Sequence, residues 1–224
     1  MMKIMRHRWQ IRFVHWVTAL SIFILFFSGF GQMPVYKRYF VDQMPGLSWS
    51  SDYAITLHLH YYGAMILIFI SVYYLFYLFL SKETDVLPKK GDVKESLLIL
   101  LSLLGLAEEP ENDKYLAEQR MAFAVTAVSI LGLIITGLIK VLKNLPDTSI
   151  PLSLSFWATQ IHNILTVILL ISVVIHLLAF LIKDNRPLFS SMFTGRISLD
   201  YAKHRHSLWI NRIEARNSKD KHIH

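Results

Sequence analysis

The chain has 224 residues, 54% of them hydrophobic, and a mean hydropathy of +0.41. Its apolar residues gather in four long blocks rather than spreading as they do through a water-soluble domain. No cysteine is present, which excludes disulfides, thiolate metal sites and cysteine-held iron–sulfur clusters and leaves histidine as the strongest metal ligand in the apolar blocks. The net charge of +7 would suit a nucleic-acid binder, but its placement does not: nineteen of the 23 Lys and Arg residues fall in segments 1–12, 82–120 and 183–224.

The blocks cover about 13–33, 54–80, 121–142 and 158–182. Each supplies the roughly 20 helical residues that a hydrocarbon core of about 30 Å requires, and the ionisable residue type in their interiors is histidine. The expected fold is an all-α integral membrane protein: one domain over 1–224, a bundle of four transmembrane helices with short surface helices. Even crossing puts both termini and the 82–120 loop on one side, and the positive-inside rule makes that side cytoplasmic, with basic side chains near lipid headgroups and no nucleic-acid partner. The first block follows Arg6, Arg8 and Arg12 as a signal peptide's core would, but it is too long and lacks a small-x-small cleavage site, so it reads as a mature helix.

In chain order, the first helix ends near SGFG at 28–31, before Pro34, and the second begins after the Pro-, Gly- and Ser-containing stretch 44–52. Between the second and third, residues 93–106 are apolar but too short to span, which predicts an amphipathic or semi-buried helix at the cytoplasmic surface. The third helix carries Gly132 and Gly137, small residues where a neighbouring helix or a flat ligand can come close. The fourth contains His162 and His176. The tail 183–224 is basic, with an amphipathic helix expected over 194–216.

Five of the ten histidines, His15, His58, His60, His162 and His176, lie in or at the ends of spanning segments, where a polar ring needs a partner. His162 and His176 are fourteen residues apart, which is about 21 Å along one helix and about 40° around it. They share a face at two depths. His15 matches the depth of His176, and His58 or His60 matches that of His162. Zinc would want four ligands and a proton relay would normally add carboxylates. Two pairs of imidazoles from different helices instead suit two b-type haems stacked across the bilayer, with the four histidines as iron ligands. His58 and His60 point about 200° apart. His60 shares its side with Gly63, Ala64, Leu67 and Ser71, a strip against which a porphyrin could lie, and is the favoured ligand. His58 then meets a propionate, a loop carbonyl or the interface. His204 and His206, among charged residues, read as contacts outside the hydrocarbon.

With HW at 15–16, SG at 28–29, KYLAEQRM at 114–121, TG at 136–137, IH at 161–162 and 175–176, and the tail MFTGRISLDYAKHRHSLWINRIE at 192–214, nearly the whole chain resembles the cytochrome b (gamma) subunit of respiratory formate dehydrogenases. That subunit sits within the four-helix dihaem cytochromes b that also serve nickel–iron hydrogenases. The resemblance implies that His15 with His176 holds the cytoplasmic-side haem, and that His60 or His58 with His162 holds the outer one. The family's second-helix histidine stands four residues before a glycine, whereas Gly63 is three after His60 and five after His58, so the motif leaves that ligand open. The resemblance also implies menaquinone or ubiquinone as electron acceptor near the start of the third helix, among Tyr115, Gln119, Arg120 and His176. Leu116 stands there in place of the family's asparagine.

The function so implied is electron transfer from an iron–sulfur partner subunit, itself served by a molybdenum or tungsten subunit that oxidises formate, to quinone in a bacterial or archaeal inner membrane. The chain has no substrate-oxidising site of its own. A cytochrome b subunit of a nickel–iron hydrogenase or of a thiosulfate or polysulfide reductase shares these features. A non-haem anchor or assembly protein, colourless when purified, is the reading from a different class.

Overall fold

The computed structural model describes residues 2–221. Its four long helices are Trp9–Gly31 (α1), Tyr53–Ser81 (α3), Ala117–Lys143 (α5) and Leu152–Leu178 (α6), the last extended by a 3-10 turn to Leu181. All four are long and apolar enough to cross a membrane. They expose side chains such as Phe79, Leu80 and Leu152 at 75–85% of full accessibility, a surface that water would penalise and acyl chains accept. Between them lie Pro34–Arg38 (α2) and Asp92–Leu103 (α4), followed in the tail by Arg186–Thr194 (α7), Leu199–Arg205 (α8) and Ser207–Lys221 (α9).

Packing divides the chain into two compact units, Arg8–Lys82 and Met1–His7 with Glu83–His224. In the first, α1 and α3 pack antiparallel. Gly63 lets Ile24 and Leu25 of α1 close against α3, and the carbonyl of Ser50 fills the space that a side chain at Gly31 would need. Asp52 caps α3 by accepting from the amides of Ala54 (2.8 Å) and Ile55 (3.1 Å), pairing donors that a helix start leaves unmatched. The connecting loop is held by Tyr36 and Ser50, whose hydroxyls meet at 2.8 Å.

In the second unit α5 and α6 form the other antiparallel pair, with Leu165 of α6 seated in the space at Gly132. The helix expected within 93–106 is α4, packed through Ile99 on Leu116 and Ala117. Asp92, at its start, takes a two-pronged ion pair from Arg120, Nη2 to Oδ1 at 2.6 Å and Nε to Oδ2 at 2.8 Å. The guanidinium holds the Asp92 carboxyl below its ordinary range. Both residues are almost completely buried.

The same unit contains two short strands that the sequence did not suggest. Lys3–Met5 (β1) pairs antiparallel with Arg196–Ser198 (β2). The tail is therefore not one helix over 194–216. Gly195, at φ +76°, ends α7 in the left-handed conformation that glycine adopts at least cost, and its carbonyl accepts from the amides of Arg6 and His7. Arg6 is buried beneath the tail and donates from Nη1 to His206 Nε2 at 3.0 Å. His206 donates from Nδ1 to the Asp113 carbonyl at 2.8 Å. Desolvation, reinforced by the neighbouring Arg6 charge, pushes His206 down to about 3, so the ring stays neutral and can accept from Arg6. His206 lies outside the spanning helices, as its charged neighbours suggested, but it is fully buried; His204 remains exposed.

Candidate haem-binding site

His60 belongs to α3, and the residue it meets is Ser28 of α1: Ser28 Oγ lies 3.0 Å from His60 Nδ1. The Ser28 hydroxyl already donates to the Ile24 carbonyl at 2.7 Å, as serines inside apolar helices commonly do. Its oxygen therefore accepts, and His60 donates from Nδ1. That fixes the tautomer, placing the ring's in-plane lone pair on Nε2.

The α5–α6 pair repeats the arrangement. Thr136 Oγ1 donates to the Gly132 carbonyl at 2.7 Å and lies 2.9 Å from His162 Nδ1, so His162 also carries its proton on Nδ1. Both hydroxyl residues are at most 5% exposed. A histidine that binds a metal through one nitrogen characteristically donates from the other to a fixed acceptor, which orients the ring and raises its basicity.

The residue following each hydroxyl is glycine. A Cβ at Gly29 would come 3.6 Å from His60 Cε1, and one at Gly137 would come 3.6 Å from His162 Cε1. These are ordinary contact distances, so the imidazoles do not themselves require glycine. Gly132, Gly63 and Gly31 differ, because protein atoms fill or crowd the space that a Cβ would take. Gly29 and Gly137 keep room beside the two rings, as a flat ligand bonded at Nε2 would need.

The other expected residues lie as follows. His58 is exposed and turns Nδ1 to the Ala54 carbonyl of its own helix at 2.7 Å. His15 is half-buried and edge-on to Trp16, and His176 is edge-on to Phe180. Tyr115 lies against His7 and under the Arg6 guanidinium. Gln119 accepts the Leu116 amide at 3.3 Å, and Arg120 donates to the Tyr115 carbonyl as well as to Asp92, so both side chains cap and brace the start of α5. Thr166, one turn after His162, donates to the His162 carbonyl. The strip along α3 is partly packing surface, since Gly63 is covered by α1. Sequence reasoning noted the SG and TG pairs but missed the hydroxyls as imidazole acceptors. Their repetition as hydroxyl-then-glycine in the first and third spanning helices was the available signal.

Four apolar helices long enough to span a membrane, two of which carry an imidazole bonded to a buried hydroxyl of a neighbouring helix, define the class as a helical membrane protein. The profile of the prokaryotic cytochrome b561 family matches residues 6–195, and the chain belongs to that family. It is 26% identical over 223 residues to the formate dehydrogenase, nitrate-inducible, cytochrome b556(Fdn) subunits of Escherichia coli (strain K12) and Shigella flexneri, covering 96% of this chain and 94% of each relative. Membership of a cytochrome b family implies haem b, and the donor set fits it: neutral imidazole is a strong axial ligand of haem iron.

Proposed function

We propose that this chain is the membrane electron-transfer subunit of a formate dehydrogenase complex, taking electrons from an iron–sulfur partner and delivering them to a membrane quinone, with two b-type haems ligated by His15, His60, His162 and His176. The observation that carries the reading is the doubled hydroxyl–imidazole–glycine arrangement at Ser28, His60 and Gly29 and at Thr136, His162 and Gly137. The formate dehydrogenase assignment leans on the relatives' names and on a likeness along nearly the whole of both chains.

When bound, haem supplies reversible one-electron chemistry that no side chain here provides. The chain's residues do the rest. Ser28 and Thr136 hold protons on the two Nδ1 atoms and keep each ring from rotating. The apolar helices around them keep water away, the condition under which ligand hydrogen bonding and charge set a potential. His60 is favoured over His58 because a neighbouring helix orients it, whereas His58 bonds to the Ala54 carbonyl of its own helix and is exposed. On the quinone side, Gln119 and Arg120 brace the start of α5 and Tyr115 stands beside it, on the face that the distribution of Lys and Arg makes cytoplasmic.

The test is to reduce the purified chain with dithionite in liposomes, remove excess reductant and add a short-chain menaquinone or ubiquinone while following the reduced haem band. Rapid reoxidation that stops when a quinone-site inhibitor is present is expected. Haem that stays reduced with both quinones would remove quinone delivery from the account.

A further inference from the structure

Helix α4 is apolar on two faces, and the core accounts for one of them. Ile99 is buried against Leu116 and Ala117, and Asp92 is buried against Arg120. On an adjoining face about 120° around the helix, Val93, Leu97, Leu100 and the C-capping Leu104 are 53–73% exposed. At 100° per residue these four fall within an arc of about 60°, a continuous apolar stripe, and Leu106 extends it past the helix end at 71% exposure.

The depth of α4 follows from what it is fastened to. Its inner face meets residues 116–120 of α5, immediately before the apolar run 121–142, which at 1.5 Å per residue measures about 33 Å and so fills a hydrocarbon core of about 30 Å. The buried ion pair of Arg120 with Asp92 marks the level at which α5 has left that core. A helix packed beside this turn lies at the headgroup boundary. Lys90 and Lys94 are exposed near its start, where ammonium groups can reach lipid phosphates. Glu95 is turned the other way, 3.5 Å from Arg120.

From this packing we infer that α4 is a membrane-surface anchor: the Val93, Leu97, Leu100 and Leu104 stripe is immersed in the acyl chains of the leaflet that α5 enters, and Lys90 and Lys94 lie among its headgroups. The inference rests on α5 spanning the membrane and is independent of the haem reading.

The chain contains no cysteine, so single spin labels can be placed directly. Leu97→Cys, Leu100→Cys and, as a water-exposed reference, Glu111→Cys are each labelled in the full chain in liposomes, and collisions with oxygen and with a nickel chelate are measured. The surface positions leave the packed face intact, and far-UV circular dichroism checks each variant. The oxygen-to-nickel ratio at 97 and 100 is expected to be several-fold above that at 111. A ratio equal to that at 111 would mean the stripe faces water and overturns the inference. Protection from both reagents would mean that protein covers it, which overturns it equally.

Discussion

On the proposed ligation, His162→Ala is expected to leave one of two haems on each chain, whereas His58→Ala is expected to leave both. The asymmetry follows from the two rings' partners. His162 is held by Thr136 of another helix at 2.9 Å, and removing its imidazole would take away the proposed axial ligand together with the hydrogen bond that orients it. His58 bonds to the carbonyl one turn back and is exposed, so its loss costs nothing at iron. His60→Ala should behave like His162→Ala. A pyridine haemochrome assay on each purified variant, normalised to chain concentration, checks this. A full haem complement in His162→Ala and His60→Ala, or haem loss in His58→Ala, would move the ligand assignment away from the hydroxyl-bound rings.

The second large effect is expected at Gly137. A Cβ there meets only His162 Cε1, at 3.6 Å, so Gly137→Val is compatible with the packed α5–α6 pair. Its methyl groups nevertheless occupy the space beside the imidazole. Haem content should fall by one per chain while far-UV circular dichroism and detergent solubility stay at the unaltered level. Gly132→Val sets the comparison, because Leu165 fills that space. Overpacking of this kind typically costs about 1–3 kcal/mol, so helix packing itself should weaken there. If Gly137→Val retains all its haem with an unshifted spectrum, the room beside His162 serves some other purpose.

The spanning helices were legible because length and apolar continuity are written into the residues themselves. Their ends were less so. α1 begins at Trp9 rather than near 13 and α6 at Leu152 rather than near 158, because a helix continues past the hydrocarbon boundary wherever polar residues can still form its backbone bonds. The strands β1 and β2 could not be anticipated. They are three residues each and come from opposite ends of the chain, so their pairing depends on tertiary packing and not on local propensity. The break in the tail was signalled by Gly195, but glycine inside a basic segment does not by itself distinguish a bend from a helix end.

Much of the candidate site was legible too, since histidine in an apolar run demands a partner. The likeness to a cytochrome b family, read from the HW, TG and IH motifs and from the tail, agrees with the family profile. The acceptors were not legible. Ser28 is 32 residues from His60 and Thr136 is 26 from His162, and no period within one helix brings them together; only the antiparallel register of α1 with α3 and of α5 with α6 does. The contacts of Gln119 and Arg120 likewise needed the structure, because the sequence does not show that a backbone amide, a carbonyl and Asp92 meet these side chains.

The central claim is that this chain holds two haems b, and the most direct measurement is the pyridine haemochrome of the purified, unaltered protein, combined with a reduced-minus-oxidised spectrum and amino-acid quantitation. Two haems b per chain, with a b-type difference spectrum, are expected. A colourless protein of full helicity would contradict it, returning His60 and His162 to structural hydrogen bonds with Ser28 and Thr136.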